Sequence, residues 1–140
     1  LWEGMIDWGR DNQPPFLKIK TNQGKSLEKR LASQEIREGI TTVLDSLWQG
    51  ETKVIDGLGA IEAIGHRVVH GGSRFEQPTQ VNTQVKEEIR RLIPLAPLHN
   101  PANLQGIEWM EKYFPTIPQI AVFDTAFHLT MPEMIKSYPI

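Results

Sequence analysis

No cysteine occurs among the 140 residues, so neither a disulfide framework nor a thiolate metal site is available, and a cytoplasmic home is expected. Runs of Lys or Arg are missing too. With 15 basic and 17 acidic residues the formal charge is -2, and the basic face that nucleic-acid binding calls for is not there. The opening Leu1 to Trp8 is neither a charged-then-apolar signal segment nor a spanning helix, so no membrane partner is expected. What is present, 39% apolar and 23% charged residues, is the balance of a globular protein. The length suits one domain with a real core and is too short for two with a cleft between them. The chain opens on Leu1 and stops at Ser137-Tyr138-Pro139-Ile140 with no helix ending or polar tail. An internal piece of a longer protein is therefore expected, incomplete at both ends.

Periodicity sketches the elements. Leu1 to Trp8 alternates, with Trp2, Ile6 and Trp8 on one side, and Phe16 to Thr21 alternates again after Asp11-Asn12-Gln13-Pro14-Pro15, which predicts two antiparallel strands. Ser33 can cap a helix striped by Ile36, Ile40, Val43, Leu44 and Leu47 and stopped at Gly50. Ala60 to His70 reads as a core strand running into Gly71-Gly72. Val85, Ile89 and Leu92 mark a second helix, closed by Pro94 and Pro97, with Lys86, Glu87, Glu88 and Arg90 as its solvated face. Asn100 followed by Pro101 predicts a cap and first turn for a third helix carrying Leu104, Ile107 and Phe114, and Gln119 to Phe123 is a strand that delivers Asp124. This order predicts an α/β domain with helices packed on a mixed sheet.

Chemistry concentrates in three places. Strand alternation sends Arg67 and Val69 to one face and His66, Val68 and His70 to the other. A guanidinium fork beside a branched aliphatic suits a short carboxylic acid, although an arginine paired with a structural carboxylate at a strand end fits the spacing as well. His66 and His70 lack the helix and the glutamate of the usual zinc motif, so hydrogen-bonded packing is the simpler role. His99 lies at a helix start, where outward backbone N–H groups favour anions; a loop histidine tying two backbone groups is the alternative. Leu98 could line an apolar pocket or belong to the core. Asp124 sits at the carboxyl end of a strand, where open α/β sheets bind their ligands, and otherwise would cap the following turn. His128 has only its proximity to recommend it and is taken as structural.

Three segments taken together resemble the acetate kinase family: Ile64-Gly65-His66-Arg67-Val68-Val69-His70-Gly71-Gly72, Leu95-Ala96-Pro97-Leu98-His99-Asn100-Pro101-Ala102-Asn103 and Val122-Phe123-Asp124-Thr125-Ala126-Phe127-His128. The resemblance is clear from Ile64 to Pro132 and fades across Leu1 to Gly59. It implies the ribonuclease H-like, actin-like ATPase fold of the acetate and sugar kinase, Hsp70 and actin superfamily, and a reversible transfer of phosphate from ATP to acetate. It further implies that Arg67 binds the substrate carboxylate or acyl phosphate, that Val69 and Leu98 pack on the acetate methyl, that His99 steadies the phosphoryl group, and that Asp124 is the catalytic carboxylate. By the same resemblance the whole enzyme uses ATP and Mg2+ and is a homodimer. The family's phosphate loop, second arginine, magnesium-holding glutamate and adenosine site have no counterpart in these 140 residues. No metal site is therefore expected in this stretch, and taken alone it is expected to be inactive and to self-associate.

Competing readings remain inside and outside that family. A propionate or butyrate kinase would need a roomier pocket than Val69 and Leu98 suggest. A non-catalytic module retaining the superfamily fold has no evident need for Arg67, His99 and Asp124 together. A metal-dependent hydrolase would have to be built on His66, His70, His99 and His128.

Overall fold

In a computed structural model, the structure describes residues 1–8, 14–31 and 36–127. The chain groups into two compact units, Leu1–Ala60 and Ile61–Ile140. The predicted turn at Asp11-Asn12-Gln13, the cap at Ser33 and the role of His128 lie outside the described residues.

In the first unit the two alternating segments become β1 (Trp2–Asp7) and β2 (Phe16–Thr21), antiparallel as predicted, with Trp2 opposite Thr21 and Asp7 opposite Phe16. The alternation has a physical consequence. Leu17 and Ile19 are fully buried and, with Leu31, form a small core against which Trp2, Ile6 and Val43 pack. Each such aliphatic side chain contributes roughly 1.5–3 kcal/mol on burial. A third strand, β3 (Ser26–Arg30), completes the order β1-β2-β3. It carries one apolar residue and no buried one, so periodicity could not show it. Its pairing is helped instead by a cross-strand ion pair, Lys18 Nζ to Glu28 Oε1 at 2.5 Å.

Helix α1 (Ile36–Asp45) ends earlier than its apolar stripe suggests. Thr41 and Thr42 donate back to the carbonyls of Arg37 and Glu38, and Ser46 donates to that of Val43 at 2.6 Å. Such local bonds compete with helix propagation. Leu47 falls past the helix, where its carbonyl receives the N–H groups of Val54 and Ile55. Gly50, with φ 73°, serves that later turn rather than the helix end.

The second unit holds the mixed sheet. Strands β4 (Ile64–Val68), β5 (Thr79–Gln80) and β6 (Gln119–Phe123) lie in the order β4-β6-β5, with β4 parallel and β5 antiparallel to β6. Helices α2 (Thr83–Arg91) and α3 (Asn100–Tyr113) carry the predicted stripes, so that Val85, Ile89, Leu104 and Ile107 close a core with Val68, Ala121 and Phe123. A short α4 (Asp124–Phe127) follows β6 directly. The side chain of Asn82 caps α2 by accepting the Val85 N–H at 3.0 Å.

Two expectations are corrected here. The charged run on α2 is not simply a solvated face, because Glu88 is buried, bonded by Arg91 and near Arg74, while Lys86 and Arg90 reach Glu111 and Glu108 on α3 at 2.6 and 3.3 Å. Nor is Asn100 a cap. His99 occupies the cap position without a side-chain bond, and Asn100 is the first helical residue, fully buried. Its Oδ1 accepts the His70 N–H, and its Nδ2 donates to the carbonyls of His70 and Ile89. An amide can satisfy both a donor and an acceptor of a chain leaving a strand, and that use outcompetes capping.

Candidate functional site

Because β4 and β6 run parallel in register, with Arg67 beside Val122 and Val68 beside Phe123, both strands end at the same edge of the sheet. Arg67 near the end of β4 and Asp124 just past β6 therefore meet. The guanidinium grips the carboxylate with Nε at 2.9 and 3.2 Å from its two oxygens and Nη2 at 3.0 Å. This is the fork-to-fork geometry in which arginine binds a carboxylate most strongly. The pair is open to solvent, with 81% of the Arg67 side chain and 38% of the Asp124 side chain exposed.

Only one edge of the Arg67 fork faces Asp124. The Nη1 and Nη2 edge makes no bond to another described residue, and a planar guanidinium can bind a second anion there. The hydrogen bond from Arg67 is the first cause holding the Asp124 carboxyl below its usual value. Burial opposes the shift, and the charges of Arg67 and His99 add to it. The same bond raises Arg67 above its ordinary value. His99 lies exposed at the cap position of α3. Of the three expected site residues, Arg67 and Asp124 are in direct contact, and His99 bears on Asp124 through its charge.

The other predicted residues sit around this cluster with less definition. Strand β4 stops at Val68, so Val69 follows the strand rather than extending its face, and is half-buried. Leu98 is 83% exposed beside His99, which removes it from the core of the described residues. His66 Nε2 lies 2.6 Å from Gln119 Oε1, and His70 Nδ1 accepts the Gly72 N–H at 3.0 Å. Both are hydrogen-bonded packing residues. Among the described residues no group of three or more His, Asp or Glu could hold a metal.

What the sequence did not reveal is how the strand end is held. Four successive backbone N–H groups after β4 each go to a side chain: Val69 to Asn103 Oδ1 at 3.2 Å, His70 to Asn100 Oδ1 at 3.2 Å, Gly71 to Thr125 Oγ1 at 3.1 Å, and Gly72 to His70 Nδ1. Asn100 and Asn103 are three apart, hence on one face of α3. That spacing was the only available signal. The two glycines have separate reasons. A Cβ on Gly71 would lie 2.5 Å from the Phe123 ring, and Gly72 has φ +65°, which L side chains rarely adopt.

Residues 1–140 match the family model described as the Acetokinase family. The chain is 51% identical over its whole length to an acetate kinase of Protochlamydia amoebophila and covers 35% of that protein. Among solved structures it is similar to Porphyromonas gingivalis acetate kinase, with a TM-score of 0.79 and 38% identity over 91% of this chain and 32% of that one. It is also similar to a propionate kinase from Francisella tularensis subsp. tularensis, with a TM-score of 0.81 and 37% identity over 100% of this chain and 34% of that one. The chain spans about a third of the length of these relatives.

Proposed function

Since the chain belongs to the acetokinase family, we propose that residues 1–140 form the acyl-substrate domain of an enzyme that transfers phosphate reversibly between ATP and acetate. The observation that carries this reading is the forked Arg67–Asp124 pair at the shared carboxyl edge of two parallel strands, with the second edge of the guanidinium unbonded among the described residues.

The roles follow from charge. A carboxylate on the Nη1/Nη2 edge of Arg67 is oriented by two parallel N–H bonds, with Val69 and Leu98 flanking its short alkyl end. Phosphoryl transfer is mainly positioning and neutralisation of developing charge. Arg67 supplies a permanent positive charge, His99 a donor for the phosphoryl group, and Asp124 a carboxylate that holds Arg67 and can orient the acceptor. ATP and Mg2+ belong to this proposal for the whole enzyme, where the metal neutralises phosphate charge. The proposal includes a cytoplasmic homodimer.

The test uses the full-length protein. It should phosphorylate acetate with ATP and Mg2+ and make ATP from acetyl phosphate. Arg67→Ala should lower turnover by roughly 100-fold or more, the scale of losing one preorganised charge donor, with little change in melting temperature. Near-normal turnover in folded Arg67→Ala protein would return Arg67 to a purely structural role. The likeness to a propionate kinase keeps a second reading open at the level of chain length. Comparing kcat/KM for acetate, propionate and butyrate decides it, and a preference for the longer acids would replace acetate as substrate.

A further inference from the structure

The forked ion pair cannot by itself fix the site. An arginine side chain has several rotatable bonds, and that of Arg67 is largely exposed, so it can follow Asp124 through backbone shifts of an ångström or more. Shifts of that size are enough to spoil phosphoryl transfer. Something stiffer must set the strand end relative to α3 and α4, which carry His99 and Asp124.

We propose that Thr125 and Asn103 are positioning residues, Thr125 locking the segment after β4 to α4 and Asn103 locking it to α3. Thr125 adjoins Asp124, and its Oγ1 receives the Gly71 N–H at 3.1 Å. Asn103 lies in the first turn of α3, four residues after His99, and its Oδ1 receives the Val69 N–H at 3.2 Å. The two bonds leave a five-residue stretch that starts at Arg67 and reach the two elements bearing the other reacting groups. Each runs from a backbone donor to a short side chain, so it transmits position with little slack. Asn100 holds the same stretch, but it is fully buried and bonds three groups, so its loss would report on folding first. Thr125 and Asn103 are half-buried and can be altered more gently. This inference rests on the phosphoryl-transfer reading above.

The experiment compares Thr125→Val and Thr125→Ser in the full-length enzyme, with kcat and KM for acetate normalised to folded protein. Valine keeps the shape and removes the acceptor; serine keeps the acceptor. We expect Thr125→Val to lose roughly 10- to 100-fold in kcat, the scale of a misplaced reacting group, with a much smaller change in KM. Thr125→Ser should stay within a few-fold of wild type. Asn103→Ala repeats the test from α3 and replaces it if Thr125→Val does not fold. Full kcat in folded Thr125→Val, or an equal loss in valine and serine variants, overturns the inference. Asp124→Asn separates the two levels. If it is inactive while Thr125→Val is normal, only the positioning role fails. If it is fully active, the phosphoryl-transfer reading fails and takes this inference with it.

Discussion

Replacing Asn100 by alanine removes three hydrogen bonds at once: one accepted from the His70 N–H at 3.2 Å and two donated to the carbonyls of His70 and Ile89 at 3.1 and 3.2 Å. At about 1 kcal/mol net for each bond the loss is about 3 kcal/mol, and leaving backbone groups unpaired in a poorly hydrated place raises it to roughly 4–5 kcal/mol. A domain has only about 5–15 kcal/mol in total, so the effect should be plain. With a urea slope of about 2 kcal/mol/M, the unfolding midpoint should fall by about 2 M. Circular dichroism at 222 nm follows it well, since α2 and α3 supply most of the helical residues among those described. Asn100→Asp is the control on direction. It keeps an acceptor for the His70 N–H and turns a carboxylate toward two carbonyls, so it should be no better than alanine. A midpoint shift below about 0.5 M for alanine, or a wild-type midpoint for aspartate, would show that this amide does not bridge the strand end to α2.

Gly71→Ala sets a methyl 2.5 Å from a buried Phe123 ring that stacks on Phe75 with 4.7 Å between centroids. Overpacking of this kind costs about 1–3 kcal/mol, so the melting temperature should drop, and an unchanged one would refute the close approach. The Glu88 carboxyl is held below its ordinary value first by the hydrogen bond from Arg91, against burial and with help from the charges of Arg91 and Arg74. Its stabilising effect is complete above the unfolded glutamate value of about 4.3 and is lost as pH falls through the lower folded value. Glu88→Gln should therefore melt lower at neutral pH and show a shallower acid decline; parallel melting-versus-pH curves would count against this pairing. Among the described residues β4 pairs on one side only, so the 140-residue chain should self-associate through that edge. Light scattering that stays monomeric over a concentration series would remove the argument.

Where a segment's own pattern decides its structure, the sequence was readable. Gln119 to Phe123 and the stripes of α2 and α3 needed only spacing, and Asp124 at the end of an apolar strand pointed to the site. Strand β3 was invisible because Ser26 to Arg30 has no buried face; it exists through pairing with β2 and one ion pair. Asn100 was misread for a related reason. Local chemistry makes Asn before Pro a good cap, yet a partner thirty residues away claims its side chain. The fork between Arg67 and Asp124 is likewise a property of parallel register and not of either motif alone.

That register ties the site to the order in which the chain can fold. Arg67 and Asp124 are 57 residues apart in sequence, and β4 gains its only neighbour among the described residues when β6 arrives. Such distant parallel pairing is slow, because the intervening loop must close before any contact rewards it. On a ribosome, none of the described strands can pair with β4 until β6 emerges. The ion pair then forms once β6, the last of the described strands, is in place, so the Arg67–Asp124 contact marks a late stage in the assembly of the described sheet rather than an earlier one.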